Sequence, residues 1–265
     1  MKLVNDLENP IINHVVLIGK NANNLNRLTS EYSGKVKEIH FHGNIEDAFA
    51  LTIDSQKKIK VFTGSKEDIL HYSERIKERQ FSICPEYPIK KSEDILFISS
   101  LGITADLLYR IESVKKQVLL EILEYYPRRS PLNIPLEPFH AILTAKIKGA
   151  KLNLWGLYAM FPNIHFHMED DELLEGPGKV KNGLYRTLLE WKSRQSKNGN
   201  RLNGLQKFFE SIPRDNPSCM VCEHFHLCFS WALYKRDCCG LWKTLLDRLQ
   251  EQIGKISHIL NAQSA

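Results

Sequence analysis

The sequence predicts an α/β fold: a partial (βα) barrel-like domain over residues 1–160, then a small C-terminal α+β metal-binding domain over residues 161–265. Three observations predict it. Strand-like segments end at Gly19, Gly43 and Gly64, spaced 24 and then 21 residues apart. The second and third glycines are each followed by a polar start and a helical pattern, and strand, turn and helix at this period means βα units on a parallel sheet. Five of the six cysteines lie beyond residue 218, in one short stretch.

The elements follow from pattern. Residues 13–18, 36–42 and 58–63 alternate or run apolar and read as strands. Asn44 and Ser65 follow the second and third glycines as N-caps, with Asp47 and Asp68 three positions on, where an acidic group suits a helix N-terminus. Ile69, Tyr72 and Ile76 give the second of these helices its apolar face. Residues 81–84 and 95–99 read as further strands. A long helix is expected over Thr104–Tyr125, with Leu107, Leu108, Ile111, Val114, Val118, Leu119 and Ile122 on one face, broken by the Pro-rich run from Pro127 to Pro138. These units are too few for a closed barrel of eight. Residues 139–161 are apolar and ambiguous. A β-hairpin with an acidic turn at Asp170 and Asp171 is expected over residues 164–174, closed by Gly176, Pro177 and Gly178. A helical pattern from Leu184 to Trp191, a polar linker over 194–203 and a final amphipathic helix over about 241–259 complete the chain.

Composition sets the class. Hydrophobic residues make up 43% and charged residues 25%, ordinary for a chain that buries a real core, so the cysteines are not needed to replace one. The start has no apolar stretch after its charge, and no run reaches the ~20 apolar residues of a membrane helix. The expected setting is cytoplasmic and reducing, where clustered thiols favour metal over disulfides. A net charge of +5 and a pI near 8.8, with only short basic patches such as Lys57 and Lys58, argue against a nucleic-acid partner.

The cysteines carry the chemistry. Cys219, Cys222 and Cys228 follow the spacing C-x2-C-x5-C, and Cys238 or Cys239 supplies a fourth thiolate. Four thiolates enclose zinc tetrahedrally or hold a [4Fe–4S] cluster. We take Cys239 as the fourth ligand. His224 and His226 lie inside the motif, and either could ligate metal in place of the distal cysteine; the preferred pattern has Phe225 and Leu227 packing the loop while both histidines face solvent. Trp231, Tyr234 and Trp242 flank the site and would exclude water from a cluster.

On this motif, the hairpin before it and the N-terminal βα units, the chain resembles radical-SAM peptide maturases that carry a C-terminal SPASM domain. The resemblance is compatible with most of the chain and specific over residues 219–239. It implies a partial barrel followed by a domain holding auxiliary [4Fe–4S] clusters. The departures are informative. The catalytic Cys-x3-Cys-x2-Cys of that family is missing, since Cys84 stands alone, and Ala232 stands where a SPASM domain has a further cysteine. The upstream Gly-x4-Cys is also missing. The cysteines kept match the second auxiliary cluster. The resemblance therefore implies a degenerate or truncated relative that binds a peptide or a radical-SAM partner protein, without radical-SAM chemistry of its own. It assigns no catalytic residue.

Two rival readings are weighed beside it. A zinc- or cluster-stabilised protein-binding module needs only the four cysteines. Alternatively, Glu190, Lys192 and Gln206 are similar to the motif of PD-(D/E)xK-type nucleases, some of which carry an iron–sulfur site. That similarity implies a divalent metal on Glu190, Lys192 assisting water, an acidic partner in Asp170 or Asp171, and Cys84 as an upstream ligand. Elsewhere, His40 with His42 and His165 with His167 alternate along strands; half-buried, hydrogen-bonded histidines are the preferred reading over zinc ligands. Gly19, Lys20 and the residues after them match no phosphate-binding loop.

Overall fold

A computed structural model describes residues 14–32, 34–52, 57–126, 134–150, 152–157, 165–169, 172–174, 211–228 and 239–263. Its centre is one eight-stranded sheet. In chain order the strands are β1 (His14–Gly19), β2 (Val36–His42), β3 (Lys58–Thr63), β4 (Ser82–Pro85), β5 (Thr104–Asp106), β6 (Leu136–Glu137), β7 (His165–Glu169) and β8 (Glu172–Leu174). Their spatial order is β6-β5-β4-β3-β2-β1-β7-β8. All pairings are parallel except β7 with β8, which is the expected hairpin. Parallel neighbours need crossovers, and the helices supply them.

The first crossover is α1 (Ala22–Glu31), which the sequence reading did not isolate among its many asparagines. Asn21 caps it, its side-chain oxygen accepting from the Asn24 N–H at 3.1 Å, and Ala22, Leu25 and Leu28 are buried. After β2 comes α2 (Ile45–Ala48), whose N-cap Asn44 makes no side-chain cap bond. After β3 come α3 (Lys66–His71) and α4 (Ser73–Glu78), and here Ser65 caps as expected, accepting from the Asp68 N–H at 3.0 Å.

Two expectations are corrected. Residues 95–99 are not a strand but lie in α5 (Glu93–Ser100). A short apolar run does not tell strand from buried helix. The choice is made before the run, where Asp94 Oδ2 accepts from the Lys90 and Lys91 N–H groups at 2.8 and 3.0 Å and closes the turn into the helix. The single helix expected over 104–125 is instead β5, a 3₁₀ turn at Ile111–Ser113 and α6 (Lys116–Tyr125). Asp106 ends the strand by accepting from the Leu108 N–H at 2.8 Å. The seven apolar residues are all buried, but the loop after β5, the 3₁₀ turn and its exit, and α6 turn them toward one core.

Beyond β6 the chain forms α7 (Phe139–Ile147) and α8 (Leu154–Leu157). The cysteine segment contains α9 (Pro217–Met220) and α10 (Phe225–Cys228), and α11 (Cys239–Gln263) follows. Trp242, Leu245, Leu246 and Leu249 of α11 share one hydrophobic core with α6, α7 and the sheet. At its edge Arg248 bonds Glu124, and Lys146 donates to Gln250 at 3.1 Å. The helix expected from Leu184, the linker over 194–203 and the glycines at 176 and 178 lie outside the described residues.

Strand side chains alternate between faces. One face presents Val15, Leu17, Ile39, Phe41, Ile59, Val61, Ile83 and Ala105 to the helices. The other carries Val16 and Ile18, a separate small apolar pair, and beside them Glu38, His40, Lys60, Phe62, Cys84 and Asp106. Most of these are under 9% exposed, so a charged row is buried.

Two substitutions test this packing. Trp242→Ala empties the largest fully buried side chain among the described residues and is expected to destabilise by ~3–5 kcal/mol in urea unfolding. Ser65→Ala removes one cap bond and is expected to cost ~1 kcal/mol in the same measurement.

Candidate functional site

The four expected metal ligands all fall in described positions. Pro217 starts α9, its missing N–H costing nothing in the first turn, and Cys219 lies two residues on. The Cys222 N–H donates to the Cys219 carbonyl at 3.2 Å, and the Cys222 carbonyl accepts from Phe225 N–H at 3.0 Å. Cys228 ends α10, its N–H donating to the His224 carbonyl at 2.8 Å. Successive turns thus hold the three residues in one short, tightly wound segment. Cys219, Cys222 and Cys228 are partly buried, Cys239 is exposed at the head of α11, and none of the four is in a disulfide. Cys238, Trp231 and Tyr234 lie outside the described residues. Among the described residues, the group of three metal-capable side chains whose ligand atoms lie within 4.8 Å of one another is Glu223, His224 and Asp247, and it contains no cysteine.

Within this segment one expectation is corrected. His224 does not face solvent: it is 7% exposed, and its Nε2 lies 2.5 Å from Asp247 Oδ1 of α11. The partner is on a helix that returns along the segment, which the local pattern could not reveal. His226 is exposed and Leu227 is buried, as the pattern indicated.

The second cluster is the charged row on the sheet. Lys60 Nζ sits 2.9 Å from Glu38 Oε1 and 3.0 Å from Asp106 Oδ2, so one ammonium bridges β2 and β5 across the sheet. His40 Nε2 is 2.5 Å from the same Glu38 oxygen. The Tyr109 ring lies 4.9 Å from Lys60 Nζ and packs edge-on against His40 at 5.2 Å. Burial opposes the Glu38 charge, but Lys60 and His40 outweigh it and hold the carboxyl well below its usual range. Burial likewise opposes the Lys60 charge, and Asp106 and Glu38 outweigh it, raising its pKa. Burial, then Asp106, push the Cys84 thiol well up, so this cysteine is a protonated, inert thiol. Burial and Asp106 also raise Glu137.

His40 is therefore a buried, hydrogen-bonded histidine, the reading preferred from the sequence. His42 differs. It is half-buried at the carboxyl end of β2, stacked on Phe62 at 4.1 Å, with Nδ1 3.7 Å from Glu86 Oε1. Burial, then the charges of His40 and Lys20, lower its pKa to about 4. The backbone register sets His165 and His167 opposite His14 and Val16. Glu190, Lys192, Gln206, Asp170 and Asp171 lie outside the described residues.

Sequence reasoning missed the Glu38–Lys60–Asp106 row. A charged residue in a strand reads by default as a solvated face, and Asp106 was placed in a helix. The available signal was Lys60 between Ile59 and Val61, the centre of a strand too apolar to leave one face in water.

Comparison with protein-family models, with curated proteins and with solved structures finds no match to this chain. Among the described residues no helix is long and apolar enough to cross a membrane.

The charged row makes two predictions. Lys60→Met strands two buried carboxylates and is expected to destabilise by ~3–5 kcal/mol, read by urea unfolding at neutral pH. The second concerns acid. Glu38, depressed in the fold, gives stability present above the free carboxyl range of ~4.3 and lost as pH falls through its lower folded value. His42, also depressed, gives stability present above 6.5 and lost as pH falls from there toward about 4. Unfolding midpoints are expected to drop between pH 7 and 5, and His42→Gln should flatten that drop.

Proposed function

We propose that this chain is an iron–sulfur-binding, SPASM-like protein that acts as a pseudo-enzyme or partner subunit in radical-SAM peptide maturation. The observation that carries the reading is the set Cys219, Cys222 and Cys228, wound into one segment, with Cys239 heading the helix that follows. These four thiols are free of disulfides and would hold a [4Fe–4S] cluster. Bound there, the cluster supplies electron relay or a structural cross-link between the segment and α11. Its docking partner is a sheet whose strands β1 to β6 are parallel and lie side by side in chain order, the sequence of strands in the wall of a partial (βα) barrel. In this reading the cysteine segment and α11 carry the metal site of the C-terminal region, residues 161–265.

The reading assigns this chain no radical chemistry of its own. The sequence has no Cys-x3-Cys-x2-Cys. On the charged face of the sheet, Lys60 is neutralised by Glu38 and Asp106 of this chain, so its charge is not held ready for a ligand. What this chain's residues do is therefore bind and orient: the thiols anchor the cluster, and the apolar side chains of α11 fix the segment to the sheet.

Anaerobic purification tests the reading. A brown protein with about four iron and four sulfide per chain is expected, lost in Cys222→Ser and kept in Cys84→Ser. A colourless protein with one zinc per chain overturns it in favour of a zinc-stabilised binding module.

A further inference from the structure

A second metal-binding constellation lies beside the cysteine segment and uses none of its sulfurs. Glu223, His224 and Asp247 each offer one ligand atom, and these atoms all lie within 4.8 Å of one another. His224 Nε2 is 2.5 Å from Asp247 Oδ1 and 3.8 Å from Glu223 Oε1. We propose that these three side chains form a binding site for a divalent transition-metal ion such as zinc, separate from the thiolate site.

The arrangement is set by two elements far apart in sequence. His224 sits at the start of α10, where its carbonyl accepts from the Leu227 and Cys228 N–H groups at 3.1 and 2.8 Å. Those bonds fix its backbone. Its ring is 7% exposed, so it points inward from the segment onto α11. Asp247 comes to it from α11, two turns past Cys239, one turn beyond the buried Trp242. Glu223 precedes His224 and reaches the same point from the solvent side, with a side chain 70% exposed. The site therefore has a buried nitrogen, a half-buried oxygen, and an exposed oxygen facing water.

The chemistry fits a transition ion. Zinc takes imidazole nitrogen at ~2.0–2.1 Å and carboxylate oxygen at ~2.0–2.2 Å, which sets tetrahedral ligands about 3.4 Å apart. The two distances from Nε2, 2.5 and 3.8 Å, fall on either side of that separation, so sub-ångström to ångström side-chain shifts seat an ion. A nitrogen ligand excludes the oxygen-only preference of calcium and magnesium. Charge points the same way. Among the described residues, the only basic side chain in ion-pair contact with either carboxylate is His224 itself. A divalent ion neutralises both carboxylates, and water fills the fourth position, as in sites with three protein ligands. On binding, Nε2 gives its lone pair to the metal. A neutral imidazole then carries its proton on Nδ1, and an imidazolium releases its Nε2 proton to solvent.

Such an ion would clasp the cysteine segment to α11 without a cluster. The proposal stands apart from the iron–sulfur reading, and the test separates them. Cobalt(II) is titrated into the full-length, cluster-loaded protein. One equivalent is expected to give weak ligand-field bands with no added sulfur-to-cobalt charge transfer, and zinc should displace it. Glu223→Gln, a change at an exposed side chain that leaves the fold intact, should weaken cobalt binding at least tenfold. Asp247→Asn should weaken it further, with unchanged circular dichroism confirming the fold. Cobalt binding within twofold of wild type in Glu223→Gln overturns the three-ligand site. So does cobalt uptake with thiolate charge-transfer bands alone, or no uptake. Protein that never takes up iron yet shows the sulfur-free bands sinks the cluster reading while supporting this site.

Discussion

Lys60 between Glu38 and Asp106 is the constraint on which the arrangement of the sheet turns. The helices cover one face of a parallel sheet, and the charged row on the other is buried as well. A buried ammonium without partners would be strongly disfavoured, so β2, β3 and β5 must be placed where both carboxylates reach it. Register follows. A slip of one residue would turn Lys60 to the apolar face and Ile59 or Val61 to the charged one. The row contributes little through net Coulomb energy once desolvation is counted, but it penalises wrong pairings heavily.

The same logic explains the company the ions keep. His40 shares the Glu38 oxygen, Tyr109 offers its ring face to the ammonium, and Cys84 stays neutral beside them. Every charge has a partner within the chain. A face built this way is a polar core more than an open cleft.

That segment depends on α11. The helix buries Trp242, Leu245, Leu246 and Leu249 in the core shared with the sheet, and it carries Asp247 on another side toward His224. Cys239 begins the helix, and its middle turns are anchored in the core. Metal chemistry in this region is coupled to the packing of one long amphipathic element.

The sequence by itself determined β2 and β3 to the residue, the hairpin of β7 and β8, and the burial of Leu245 and Leu249. All of these rest on local signals: period-two alternation, a glycine or acidic turn at the strand end, a 3.6-residue stripe. Only the tertiary structure decided the rest. Residues 95–99 became helix because Asp94 closes a turn onto Lys90 and Lys91, which outweighs an apolar run that fits either state. Residues 104–125 split because the strand at Asp106 completes a sheet whose other members are far away in the chain. Lys60 found Asp106, and His224 found Asp247, across separations over which no sequence period operates. Periodicity records which side of an element faces inward; it does not record what waits there.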